Sequence, residues 1–107
     1  MRAGSLRHPI TIEEASTSRD AMGNEHAASH KTIARMGAQI ETVSLREEEL
    51  YRQREAVVTH RLRTRYMKGI KAHMRIRFGS RTFEIVDVVP IGNRHRDMKI
   101  IAKELEP

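Results

Sequence analysis

Arginine is the residue type whose spacing in this chain most directly suggests a chemical role. Between positions 52 and 81 the sequence carries ten lysine and arginine residues and one acid, Glu55. Arg61, Arg63 and Arg65 occupy alternate positions, so on a β-strand their guanidinium groups share one face at intervals of about 7 Å. Two further arginines with the same spacing are expected on the same face of an adjoining strand. The predicted basic stripe consists of Arg61, Arg63, Arg65, Arg75 and Arg77.

Three interpretations of the basic stripe are open at this level. The arginines follow the phosphate backbone of a nucleic acid, or form an ordinary solvated sheet face, or meet carboxylates of a neighbouring subunit. Proteins that grip single strands rely on stacking aromatic side chains, and only Tyr51 and Tyr66 lie near the stripe. The first interpretation therefore describes a free nucleic-acid-binding β-barrel protein that contacts only the backbone of a duplex.

Three consecutive glutamates, Glu47, Glu48 and Glu49, form the main acidic feature of the chain. They follow Ser44, and a serine with a glutamate three residues later is the capping box that begins a helix. Side chains of successive helical residues point about 100° apart, so the three carboxylates cannot converge on one metal ion. We interpret them as charges that favour a helix N-terminus, with an acidic interface patch as the alternative.

No arrangement of residues in the sequence is typical of a catalytic or cofactor site. The six histidines are scattered, and only His26 and His30 have the spacing of a two-histidine metal motif. Both fall in a predicted loop with Glu25 as the nearby acid, so we expect no metal. The sequence contains no nucleophile elbow, no phosphate-binding loop and no cysteine. We therefore predict a protein that is not an enzyme and that binds no cofactor.

Hydrophobic residues recur at every second position through most of the chain, as is typical of half-buried β-strands. This pattern predicts about six short strands, two of them joined by a tight hairpin at Gly79 and Ser80. One helix is predicted from about residue 45 to about residue 56. Residues 16–31 are mostly small and polar, and predict a long exposed loop. Pro9 favours an edge position in the first strand, and Gly37 a bulge in the second.

Length and composition predict a single domain over residues 1–107 with a thin core. Only 38% of residues are hydrophobic and 4% aromatic, so we expect the chain to complete its burial in an assembly. Short strands joined by tight turns indicate a mainly β fold, either a small antiparallel barrel or a sandwich. A net charge of +6 permits contact with nucleic acid or with an acidic protein surface. No apolar stretch is long enough for a membrane span, and we expect no membrane partner.

The order of short motifs along the chain resembles a known family. The motifs are MRAGxLRHxITI at the start, Asp20 and Gly23 in the loop, Ala38-x-Ile40-Glu41, Arg46-Glu47, Thr59-His60-Arg61, Arg65-Tyr66, Gly69-Ile70, Met74-Arg75, Gly79-x-Arg81-x-Phe83-x-Ile85 and Val88. In this order they resemble the head–tail joining proteins of long-tailed bacteriophages, also called head-closure or stopper proteins. The resemblance spans nearly the whole chain.

The resemblance implies a small antiparallel β-barrel with one inserted short helix and a long loop. It implies a structural virion protein, made in the bacterial host cytoplasm, that forms a homo-oligomeric ring in the phage neck as a hexamer or dodecamer. Such a ring closes the head after DNA packaging and offers the attachment surface for the tail. The implied partners are portal and adaptor proteins on the head side and tail terminator or tail tube proteins on the tail side. Packaged double-stranded DNA, contacted without sequence specificity, is the remaining partner.

Two groups of residues are candidates for contacts in such a ring. Each subunit of a ring presents different patches to its two neighbours, so the glutamate run of one subunit can meet the stripe of the next. The candidate pairing joins Glu47, Glu48 or Glu49 to Arg61, Arg63 or Arg65 across that contact. The long loop is the candidate channel plug or adaptor clasp, and its candidate residues are Ser18, Arg19, Asp20, Met22, Gly23 and Asn24.

Overall fold

The computed structural model describes residues 7–16, 29–92 and 96–106. Within them, six strands and one helix follow one another as β1 (His8–Ser16), β2 (Ser29–Thr42), α1 (Leu45–Arg52), β3 (His60–Arg65), β4 (Arg75–Phe78), β5 (Arg81–Ile91) and β6 (Asp97–Leu105). Each of these strands lies where the hydrophobic alternation predicts one. The hairpin at Gly79 and Ser80 is confirmed, since Phe78 pairs with Arg81 across it.

The six strands close into an antiparallel barrel in the order β1-β2-β3-β6-β5-β4. β1 pairs with both β2 and β4, and the pairing with β4 closes the barrel. Pro9 lies in the part of β1 that pairs with β2 alone. Its missing amide hydrogen therefore removes no hydrogen bond from the pairing of β1 with β4. The mainly β fold is confirmed, and of its two predicted forms the chain adopts the barrel.

The barrel interior is filled by side chains that alternate along the strands. Phe83 is the largest of them and is 0% exposed. Aliphatic side chains supply the rest of the buried cluster, namely Ile10, Ile12, Ala38, Leu62, Ile70, Met74, Ile76, Ile85, Met98, Ile100 and Ala102. Because burial of apolar area is the main stabilising term, the barrel depends heavily on its one fully buried aromatic ring.

A second apolar cluster lies outside the barrel wall, beneath α1. It consists of Val43, Tyr51, Val58 and Ile101. Ile101 points outward from β6 and is nevertheless fully buried, because the helix covers it. The Tyr51 hydroxyl donates a 2.8 Å hydrogen bond to Asp87 of β5 and so fixes the helix on the sheet. Burial and this hydrogen bond raise the pKa of the Tyr51 phenol to about 12.

The helix is shorter than the sequence predicts, ending at Arg52 instead of near residue 56. The Ala56 amide donates to the Tyr51 carbonyl and the Glu55 amide to the Arg52 carbonyl, each at 2.9 Å. This pair of bonds is a Schellman-type stop, with Glu55 in the left-handed position at a φ of 59°. Glycine usually occupies that position, so the stop had no clear signal in the sequence.

The loop predicted over residues 16–31 is also shorter in the structure, because both flanking strands extend into that range. Ser16 belongs to β1 and pairs with Ser29 of β2, so only residues 17–28 remain, and these lie outside the described residues. The predicted bulge at Gly37 is wrong, since this residue pairs regularly with β1. The β1–β2 ladder shifts register instead between Ile12 and Glu13.

Candidate interaction surfaces

The N-terminus of α1 joins the helix to the barrel through one carboxylate. The Ser44 hydroxyl accepts a 3.1 Å hydrogen bond from the Glu47 amide, and the Glu47 carboxylate accepts from the Ser44 amide at 3.4 Å. This geometry confirms the predicted capping box. The same carboxylate accepts a 2.6 Å hydrogen bond from Arg61 of β3 and lies 3.7 Å from the Lys99 ammonium of β6. Glu47 therefore ties the helix N-terminus to two strands of the barrel.

The other two glutamates of the run lie on the solvent side of the helix. Arg52 donates to Glu48 at 2.9 Å and to Glu49 at 3.1 Å. These pairs are largely in solvent, with the two carboxylate side chains 40% and 56% exposed, so they contribute little to stability. Leu45, which shares their helix face by its spacing of three and four residues, is 85% exposed. We call Leu45, Glu48 and Glu49 the outer face of α1.

The predicted basic stripe is not one continuous surface. β3 and β4 are three strands apart in either direction around the closed barrel, so Arg75 and Arg77 lie on the side opposite the β3 arginines. The expectation that β4 adjoins β3 is therefore wrong, since the neighbours of β4 are β1 and β5. Strands that follow one another in the sequence need not be neighbours in a barrel, and here the segment between β3 and β4, residues 66–74, carries the chain from one side of the barrel to the other.

Ion pairs within the chain already involve three of the five arginines. The pairs are Arg61–Glu41, Arg61–Glu47, Arg65–Asp97 and Arg75–Glu13. Arg63 and Arg77 are exposed and form no ion pair with another described residue. Among the five arginines of the predicted stripe, Arg63 and Arg77 are therefore the best placed to bind a group outside the described part of the chain.

A groove of about 590 Å³ lies beside α1 on the outer surface of the barrel. Its lining residues are Gln39, Glu41, Arg61, Arg63, Val89, Pro90, Ile91, Gly92 and Lys99. Arg63 pairs in register with Lys99, which places two cations side by side on the groove floor. Val89, which is 37% exposed, begins an apolar wall along the end of β5. Sequence reasoning missed this wall, because the run of valines before Pro90 has the pattern of a buried strand that ends there.

A polar cluster at one end of the barrel also lacked a signal in the sequence. Arg81 donates to Glu104 at 2.7 and 3.1 Å, and its guanidinium carbon lies 5.1 Å from the centre of the Phe83 ring. The His60 ring meets Phe83 edge-on, with ring centres 5.2 Å apart. Burial lowers the pKa of His60, Arg81 adds to this effect and Glu104 opposes it. The lowered pKa favours the neutral imidazole, which packs against the phenyl ring.

The remaining predictions concern metal binding, membrane contact and the long loop. Within residues 7–16, 29–92 and 96–106, no three histidine, cysteine, aspartate or glutamate side chains come together as metal ligands would. The same ranges contain no helix with the length and apolar character of a membrane span. His26 lies outside the described residues, as do all the candidate loop residues, Ser18, Arg19, Asp20, Met22, Gly23 and Asn24.

Comparison with known proteins assigns the chain to a family. A model of the phage head completion protein family matches residues 1–105, which is nearly the full length of the chain. The chain belongs to the phage head completion protein family. This membership confirms the resemblance to phage head proteins found in the sequence motifs. It identifies the chain as a structural, head-related protein of a phage particle.

Two solved structures share the barrel architecture. Protein SF1141 from Shigella flexneri 2a is 26% identical, with a TM-score of 0.76 over 97% of this chain and 96% of that chain. A chain from the virion of a native gene transfer agent particle is 14% identical, with a TM-score of 0.64 over 92% of this chain and 94% of that chain. The second likeness is one of fold alone. No curated protein matches the sequence.

Proposed function

We propose that this protein forms a homo-oligomeric ring in the phage neck, between the portal or adaptor and the tail. The ring closes the head after DNA packaging and offers the surface to which the tail attaches. Membership of the head completion family over residues 1–105 carries the proposal. The shared fold with a chain of an assembled gene transfer agent virion supports it.

The outer face of α1 and the groove supply the two different patches that a ring subunit needs. The helix face carries the carboxylates of Glu48 and Glu49 beside an exposed leucine. The groove offers Arg63, which makes no ion pair with another described residue, beside an apolar wall. Charge and apolar character therefore match when the helix of one subunit docks in the groove of the next, and repetition of this contact by rotation closes a ring.

This interface uses fewer residues than the pairing of the glutamate run with the β3 arginines that the sequence suggests. Glu47 and Arg61 already bind each other at 2.6 Å within one chain, and the Glu47 side chain is only 18% exposed. Drawing either group into a contact with another subunit would break this short, half-buried ion pair, which is costly. We therefore assign the subunit contact to Glu48, Glu49 and Arg63, and assign Glu47 and Arg61 to the helix attachment.

The remaining partners follow from a position in the neck. Portal or adaptor proteins contact the head side of the ring, and tail terminator or tail tube proteins contact the tail side. Packaged double-stranded DNA runs to the channel and is contacted without regard to sequence. The segment that contains Asp20 and Gly23 retains its role in this proposal as the channel plug or the adaptor clasp.

The closing role is tested by removing the protein from a growing phage. With a stop codon early in its gene, we expect heads that fill with DNA, lose it again and carry no tails. Nuclease-protected DNA per capsid, measured by quantitative PCR, should fall at least tenfold and return to normal when the wild-type gene is supplied in trans. Tailed particles that retain a full complement of DNA without the protein would contradict the proposal.

A further inference from the structure

We propose that Arg35, Thr11 and Arg77, on the side of the barrel opposite the groove, bind phosphates of double-stranded DNA. We call these three residues the phosphate row. The inference rests on the proposed function, in which packaged DNA reaches the ring. It assigns that contact to one surface of the barrel.

The strand register brings the row together. Thr11 of β1 pairs with Arg35 of β2 on one side and with Arg77 of β4 on the other. Ile10 and Ile12 on either side of Thr11 point into the core, so Thr11 and its two partners point outward. Neighbouring strands lie about 4.8 Å apart, which puts the two arginine Cα atoms about 10 Å apart. Two arginine side chains at this separation reach one phosphate from both sides or two successive phosphates of one strand.

The positive charge of the phosphate row is not neutralised by Glu13, the acid nearest to the row along β1. Arg35 and Arg77 are both exposed, and neither forms an ion pair with another residue in the described ranges. Glu13, two residues beyond Thr11 on the same outward face, accepts from Arg75 at 2.9 and 3.1 Å. Its side chain is only 11% exposed. Glu13 is therefore held by Arg75, and the two arginines of the row are free to meet an anion.

The chemistry around the row favours a nucleic acid backbone over a protein. Protein interfaces centre on apolar and aromatic side chains, whereas contacts to phosphate come from arginines and hydroxyl groups. In the described part of the chain, the exposed large hydrophobic side chains are Leu45, Leu50, Val57 and Val89. All four belong to α1, to the segment after it or to the groove, and none belongs to β1 or β4. The row thus offers guanidinium and hydroxyl donors without an apolar centre.

Salt dependence of DNA binding tests the row. The purified protein binds a labelled duplex of mixed sequence, and fluorescence anisotropy gives the affinity at several salt concentrations. Each lost phosphate contact lowers the slope of log affinity against log salt by about 1. We expect Arg35→Ala and Arg77→Ala each to show this loss, and Thr11→Val to weaken binding with little change in slope. Lys68→Ala, which removes the same charge from an exposed turn, is the matched control and should retain the wild-type slope.

Three results would overturn the inference. Row variants with the wild-type slope would show that the row does not touch phosphate, and an equal loss in Lys68→Ala would show that only net charge matters. Binding of polyglutamate that depends on the row as strongly as DNA binding does would point to an acidic protein instead. These outcomes leave the neck proposal standing, because that proposal depends on DNA retention in heads, whereas the row depends on affinity measured in solution.

Discussion

Replacing Arg63 with glutamate is expected to prevent ring assembly while the barrel stays folded. The substituted carboxylate in the groove would face Glu48 and Glu49 of the neighbouring subunit, and like charges brought together at an interface cost several kcal/mol. Each subunit contact should therefore weaken by at least about 100-fold. Arg63 is exposed and makes no ion pair among the described residues, so we expect no large change in melting temperature. Analytical ultracentrifugation over a range of protein concentrations measures the assembly.

A charge-exchange experiment separates a specific contact from a general charge effect. Lys68→Glu makes the same change of charge at an exposed turn and should assemble normally. The double variant Glu48→Lys/Glu49→Lys should fail to assemble alone. Mixed with Arg63→Glu, it should form rings of alternating subunits, because each helix face then meets a groove of opposite charge. Failure of the mixture to assemble, with both proteins folded, would show that these residues do not meet across the contact.

Phe83→Ala is expected to cause the largest loss of stability of any single substitution in the barrel. The ring is 0% exposed, and removal of a buried phenyl ring costs about 3–5 kcal/mol. The edge contact with His60 and the guanidinium of Arg81 over the ring are lost with it. Folded proteins have about 5–15 kcal/mol of stability in total, so this loss is a large fraction of it. Urea denaturation followed by circular dichroism gives the free energy of unfolding.

Two companion variants keep the Phe83 prediction testable. Val89→Ala shortens an exposed side chain on the same strand and should change the free energy of unfolding by less than about 0.5 kcal/mol. Phe83→Leu retains most of the apolar volume and should show an intermediate loss even if Phe83→Ala does not fold. A loss below about 1 kcal/mol for Phe83→Ala would mean that the ring does not anchor the interior.

Local features of the fold were predictable because they depend on neighbouring residues. Alternation identified the strands, and Ser44 with Glu47 identified the helix start, since both ends of a capping box lie within one turn. The α1 stop was missed because its left-handed residue is Glu55 and not glycine. β5 contains an irregularity between Ile85 and Asp87, where its register with β6 shifts. The sequence carries a signal for it, because Val86 directly follows Ile85 and so breaks the alternation of apolar and polar residues.

The candidate surfaces were less predictable because they depend on which strands become neighbours. Arg63 and Arg77 have the same local pattern, yet closure of the barrel puts them on opposite sides. Arg35 lies 42 residues before Arg77 in the sequence, and the pairing of both residues with Thr11 of β1 brings them together. The pairing of Glu47 with Arg61 likewise follows from the way α1 packs on β3 and β6. Sequence reasoning singled out Arg63 and Arg77 but not Arg35, and it could not say which charged residues were already paired.

Imaging the neck of intact phage particles by cryo-electron microscopy tests the central claim most directly. We expect a closed ring of six or twelve copies of this barrel between the portal or adaptor and the tail, with the helix of each subunit in the groove of the next. Particles whose neck density is fully explained by other chains, with no copy of this barrel between head and tail, would contradict the proposed role.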